Sequence, residues 1–271
     1  MDKKKISLVS LGHLSCDVNG GALPAVLPFL RTHYGLSYQA TGGLMFAYSC
    51  LSSIIQPLFG LMADRLSKPW LIPLGVFLAG IGLTAVGFMS SYWAIFAAIG
   101  VSGVGAALFH PEGARFANKV SGDSKGTGMS IFSIGGNAGF VVGPLLATFF
   151  LTMFGMPGMV IFGLLGTVMA SILLLLIMRM VAPEAAAAAQ RTAEAAYGQP
   201  KNAANVAGDK ANSGEDAALQ NNWHEFSKLT GAIITRSILF IGFNTFIPLY
   251  WVSGFGQSKA AGAVALTVFC T

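Results

Sequence analysis

His13 and Asp17 stand four residues apart in an apolar stretch that runs from Ile6 to Leu30. On a helix that spacing puts both on one face. An imidazole and a carboxylate within reach can pass a proton between them. Ionisable groups inside an apolar helix are functional candidates by default, because burying them is costly. Two readings of the pair are open: a proton-relay or substrate-contacting pair facing a central cavity, or a hydrogen-bonded clamp that holds the helix to a neighbour. A second group lies at His110, Glu112 and Arg115. Glu112 and Arg115 are three apart and can pair locally, which favours a structural gate over work in a cavity. Arg236 falls in a later apolar segment, where it either snorkels to an interface or binds an anion. Asn19, Asn137 and Asn244 can hydrogen-bond across helices. Asn19 and Asn137 join His13, Asp17 and Arg236 as candidates for proton coupling or substrate contact. Tyr48, Gln56 and Phe132 are weaker cavity candidates.

These residues need elements to hold them, and composition says what kind. The chain of 271 residues is 54% hydrophobic and 10% charged, with a mean hydropathy of +0.66. A soluble domain carries roughly 25% charged residues, because it must present a polar surface. A chain whose solvent is lipid has no such need. The 34 glycines suit helices that associate by close backbone approach. The hydrophobic pattern predicts spans over 6–30, 40–63, 70–89, 92–112, 127–150, 158–181 and 230–252, and the start of another at 259–271. Cys16, Cys50 and Cys270 lie in apolar stretches without metal-ligand spacing and read as small apolar residues. The basic start, Met1 to Lys5, precedes an apolar run too long and too polar for a signal peptide.

Lysine and arginine then orient the spans. With a cytoplasmic N-terminus, all but three of the 16 Lys and Arg residues fall in inside loops and flanks. The exceptions are Arg31 and Lys259 outside and Arg236 within a span. The net charge of +5 reports this asymmetry and gives no basic face for nucleic acid. Residues 182–228 differ in kind: alanine-rich, then polar without period, as in a disordered or loosely helical linker. The expected organisation is a six-helix bundle over 1–181, a cytoplasmic linker over 182–228, and the start of a second bundle over 229–271. A plan of two bundles suggests three-plus-three inverted repeats with the substrate site near the midplane. The last apolar segment is too short to cross a bilayer, so the reading frame is expected to continue.

Three motifs carry a resemblance. Gly60-Leu61-Met62-Ala63-Asp64-Arg65-Leu66-Ser67-Lys68, after span two, resembles the signature of the major facilitator superfamily, with Met62 and Ser67 as departures. Gly60 would let helices approach at the cytoplasmic rim, and Asp64 would pair with a helix N-terminus or a cation. The resemblance implies a gating latch built from Gly60, Asp64, Arg65 and Lys68, with His110, Glu112 and Arg115 as further gate candidates. Gly139-x-x-x-Gly143-Pro144 in span five resembles part of the drug–proton antiporter motif: a tight small-residue face with a backbone bond removed at Pro144. Leu11 to Asp17, Gly103 to Glu112 with Arg115, and Ser130 to Asn137 resemble the fosmidomycin-resistance branch of the same superfamily, over about residues 10–180.

The resemblance implies an all-α membrane protein of major facilitator type in the bacterial inner membrane. It implies proton-coupled efflux of a small drug-like or anionic compound by alternating access. Proton-coupled uptake of an organic acid or sugar, and a non-transporting truncated fragment, are the alternatives. The partners expected are a small-molecule substrate, protons and the lipid bilayer, with no nucleic acid. No phosphate loop, nucleophile elbow or zinc spacing is present, so no enzyme activity, cofactor or metal is expected. The orientation is testable. In the full-length protein a single cysteine introduced as Gly208→Cys should resist impermeant thiol reagents in intact cells; ready labelling there would reverse the topology.

Overall fold

The structure, a computed structural model, describes residues 1–66, 69–197 and 223–271, with side chains described for these except 62–66, 180–197, 225 and 226. Among the described residues the elements are all helical: α1 (Lys3–Tyr34), α2 (Tyr38–Leu66), α3 (Leu71–Val86), α4 (Tyr92–Val120), α5 (Lys125–Phe154), a 3-10 turn (Met156–Met159), α6 (Val160–Tyr197), α7 (Trp223–Ser253) and α8 (Lys259–Cys270). The chain divides into two compact units, one of Met1–Ile177 with Gly242–Thr271 and one of Met178–Ile241.

Local chemistry sets the helix ends. The Asp2 side chain accepts from the Lys5 backbone N–H and caps α1. That bond and the Lys5 ammonium hold its carboxyl below the ordinary range. The Asp2 N–H in turn donates to the Val120 carbonyl at 2.9 Å, tying the start of α1 to the end of α4. At the other end Gly35 adopts φ 63° and its N–H closes on Arg31, a left-handed cap that a side chain would strain. Ser91 and Ser258 cap α4 and α8 through their side chains.

In the larger unit α1 packs along α5, α3 and α2 both pack along α4, and α8 packs against α5. Gly139 and Gly143 of α5 lie on the backbone of α1. A Cβ at Gly139 would fall 2.7 Å from the Leu14 carbonyl oxygen, and one at Gly143 would meet the Val18 carbonyl still more closely. The small-residue face expected over these positions is therefore a helix–helix contact, and α5 runs helically through Pro144. Polar ties are few and reach across helices: Ser10 Oγ donates to the Ile131 carbonyl at 2.7 Å, and Thr84 Oγ1 to the Met159 carbonyl at 2.9 Å.

Among the described residues five helices are long and apolar enough to cross a membrane: Tyr38–Leu61, Tyr92–Val120, Lys125–Phe154, Met156–Arg179 and Ser227–Ser253. Two expected spans do not meet that test. α3 has 16 residues, about 24 Å at the helical rise, short of the roughly 30 Å hydrocarbon core. α1 has 32 residues but spends part of its length on His13, Asp17 and Asn19. It is shielded instead by neighbours: most of it from Cys16 to Leu30 is buried. Outward faces carry large apolar residues such as Ile54, Phe149 and Leu175, a surface that lipid tolerates.

Candidate functional site

The apolar interface of α1, α4 and α5 contains one charged cluster. Asp17 is buried at its centre. Its Oδ2 lies 3.1 Å from His13 Nε2 on its own helix, and its Oδ1 lies 2.9 Å from His110 Nε2 on α4. The His13–Asp17 contact is the one the i, i+4 spacing leads to. His110 was expected at the cytoplasmic close of span four, in a gate. Instead α4 continues to Val120, which leaves His110 well inside the helix and in contact with Asp17. The charged residues Arg115 and Lys119 extend α4 beyond its apolar part; they do not end it.

The ring of His13 is held from three sides. It stacks on Phe132 with centroids 4.1 Å apart, and tilts against Phe109 at 5.6 Å. Its Nδ1 is 2.8 Å from the Phe132 carbonyl oxygen. A carbonyl only accepts, so Nδ1 carries the hydrogen. That leaves Nε2 facing Asp17 Oδ2 across 3.1 Å.

α5 makes room for this arrangement at Gly136. A Cβ there would fall 2.6 Å from His13 Nε2 and 2.8 Å from Asp17 Oδ2. Tyr48 of α2, a weaker candidate, is buried with its hydroxyl against Gly20 of α1. Cys16, on α1 itself, is also buried.

The other expected site residues scatter. Asn19 is buried but turns back on its own helix, donating to the Ser15 and Cys16 carbonyls at 2.9 and 3.0 Å. Among the described residues it bonds to no neighbouring helix. Asn137 is exposed on α5, Gln56 is partly buried on α2, and Arg236 is exposed on α7 in the smaller unit. Arg236 lies more than three turns into that helix, since α7 begins at Trp223. Glu112 and Arg115 do pair, Nε to Oε2 at 3.7 Å, with Glu112 buried.

The gating motif was expected in a loop, yet α2 continues to Leu66. Gly60, Asp64 and Arg65 are therefore helical, and Lys68 lies outside the described residues. No described atom comes within 4 Å of a Cβ placed on Gly60, so the close approach expected there is not seen among the described residues. What sequence reasoning missed was the third member, His110, and the backbone acceptor at Phe132. The paired occurrence of Phe109-His110-Pro111-Glu112 and Phe132 was visible, but their convergence on Asp17 is a tertiary fact.

With this geometry in hand, comparison with known proteins decides the family. The profile of the Major Facilitator Superfamily matches residues 9–271. The chain belongs to the major facilitator superfamily. It is 32% identical over 174 residues to the fosmidomycin resistance protein of Escherichia coli (strain K12), covering 64% of this chain and 43% of that protein. It is 30% identical over 200 residues to the uncharacterized MFS-type transporter YfnC of Bacillus subtilis (strain 168), covering 74% of this chain and 48% of that one. A multidrug resistance protein MdtG, from Yersinia enterocolitica, is 26% identical over 141 residues, covering 49% of this chain and 34% of the relative. A crystal structure of tetrameric PepTSo2 shares the fold with a TM-score of 0.51 at 17% identity, covering 97% of this chain and 56% of that one. The chain spans about half the length of the curated relatives it matches. It is a multi-pass major facilitator protein, all-helical among the described residues, from a family of transporters.

Gly136 gives this description a direct check. In the full-length protein Gly136→Ala should lower stability by about 1–3 kcal/mol through overpacking, read as a fall in apparent Tm. Gly126→Ala on the same helix, where a Cβ meets no described atom within 4 Å, should leave Tm unchanged. Equal effects would mean that Gly136 does not border the cluster as described.

Proposed function

We propose that this protein works as a secondary active carrier that exports a small drug-like or anionic compound in exchange for protons, by alternating access. The observation that carries the reading is Asp17, buried between His13 and His110 on two helices, each imidazole facing one of its oxygens. A charged group at membrane depth costs on the order of 2.5–3.5 kcal/mol or more, so such a cluster persists where it is paired and where it works. Its position suits coupling. Asp17 and His13 move with α1, while His110 moves with α4 and Phe132 with α5. Any relative shift of these helices changes which imidazole the Asp17 carboxylate faces.

Export, rather than uptake, is supported by the names of the relatives, a fosmidomycin resistance protein and multidrug resistance proteins. The bias of Lys and Arg supports a cytoplasmic N-terminus in a bacterial inner membrane. Gly60, Asp64, Arg65 and Lys68 keep the latch role that their motif suggests. Glu112 and Arg115 support it as a local pair on α4. Asn19, Asn137 and Arg236 stand apart from the cluster and are secondary candidates for substrate contact.

The test uses everted vesicles containing the full-length protein, with ΔpH dissipation followed on addition of fosmidomycin and other drug-like compounds. Asp17→Asn should abolish ΔpH-driven transport while leaving substrate binding or passive exchange in place. His13→Gln should move the pH optimum more than it changes affinity. Normal ΔpH-driven transport by both variants at equal expression would reduce the cluster to a structural clamp.

A further inference from the structure

The donor set of the cluster has a second capacity. Two imidazole nitrogens and one carboxylate are ligands for borderline divalent ions. One ligand atom from each of His13, Asp17 and His110 lies within 4.8 Å of the others. The two gaps to the carboxylate are 3.1 and 2.9 Å. These gaps run to different carboxylate oxygens, so each imidazole faces its own oxygen. Ligand atoms about 2.0–2.2 Å from a tetrahedral ion stand roughly 3.3–3.6 Å apart. Binding would need the three ligand atoms to rearrange about the ion, chiefly by rotation of His110. That ring is the most exposed of the three, with 26% of its side chain accessible against 12% for His13 and 7% for Asp17.

An independent feature points the same way. A metal-ligating histidine nearly always donates its other ring N–H to a carbonyl or carboxylate, which fixes the tautomer and aims the free nitrogen. His13 has that bond, Nδ1 to the Phe132 carbonyl at 2.8 Å, and stacks on the Phe132 ring. On the α5 side Gly136 puts no side chain in front of His13 Nε2 and Asp17 Oδ2, where a Cβ would come within 2.6 and 2.8 Å.

We propose that the His13–Asp17–His110 cluster is a binding site for one divalent transition-metal ion of the zinc or cobalt kind, which bridges α1 to α4. Three protein ligands leave a fourth position for water. Hard ions such as Mg²⁺, which want oxygen ligands and keep their own water, should not compete. A bridged α1 and α4 cannot shift against each other, so the ion should inhibit transport. That consequence rests on the coupling role proposed above; the binding itself does not.

The experiment uses purified, tag-free full-length protein and Co²⁺ as probe. Wild type should bind one Co²⁺ with visible ligand-field absorption of low coordination number, displaced by Zn²⁺ and not by Mg²⁺. His110→Gln and Asp17→Asn should each weaken Co²⁺ binding by at least about tenfold, while His33→Gln, outside the cluster, should bind as wild type. Should Asp17→Asn fail to insert, His110→Gln alone decides, because that side chain is partly exposed. Absence of a Co²⁺ spectrum in wild type, or a spectrum unchanged in His110→Gln, would overturn the site. Zn²⁺ inhibition of transport in proteoliposomes is read separately. Binding at the cluster without inhibition supports the site and counts against the coupling role.

Discussion

The burial of one carboxylate governs the rest of this structure. Asp17 sits in an interface built otherwise from apolar side chains and glycine. Left alone there it would be prohibitively unstable. It survives because each oxygen faces an imidazole, one from its own helix and one from α4. Everything near it follows from that need. His13 is aimed by the Phe132 carbonyl and held flat by the Phe132 ring. α5 presents Gly136, since any side chain there would collide with the pair. Gly139 and Gly143 continue the same face along α1 and bring α5 close enough for its backbone to serve as an acceptor.

Such a cluster is also where rigid packing and movement meet. At Gly139 and Gly143 the contacts between α1 and α5 are backbone on backbone, which resists sliding. His110, on α4, reaches Asp17 only by its side chain and is the member most open to its surroundings. A carrier that rocks its helices about a midplane site needs some groups that stay together and some that part. The arrangement supplies both: a fixed pair on α1, backed by α5, and a detachable partner on α4.

How much of this was legible in the sequence depends on how local the signal was. The helical membrane fold followed from hydrophobic runs and scarce charge, which are properties of each segment alone. The His13–Asp17 contact followed from helical spacing. The Gly139 and Gly143 contact face followed from the four-residue interval. His110 could not be placed that way. Its proximity to Glu112, Arg115 and the charged end of α4 suggested the membrane edge, whereas α4 extends a further ten residues to Val120. The motif Gly60 to Lys68 gave the family but not the geometry, because α2 absorbs its first half into the helix. Asn19 read as a link between helices and proved to satisfy its amide N–H groups on its own backbone. Each miss concerns which face of a helix meets which neighbour, and a single chain's pattern does not encode that.

The central claim is that His13, Asp17 and His110 act as one unit. A double-mutant cycle on the apparent Tm of the full-length protein tests it most directly. His110→Gln should cost stability in the wild-type background, because it strips Asp17 of a partner. In the Asp17→Asn background the same change should cost little, since the buried charge is already gone. Non-additivity well above the few tenths of a kcal/mol typical of independent sites is the predicted result. An equal cost of His110→Gln in both backgrounds would show that the three residues do not form a coupled cluster.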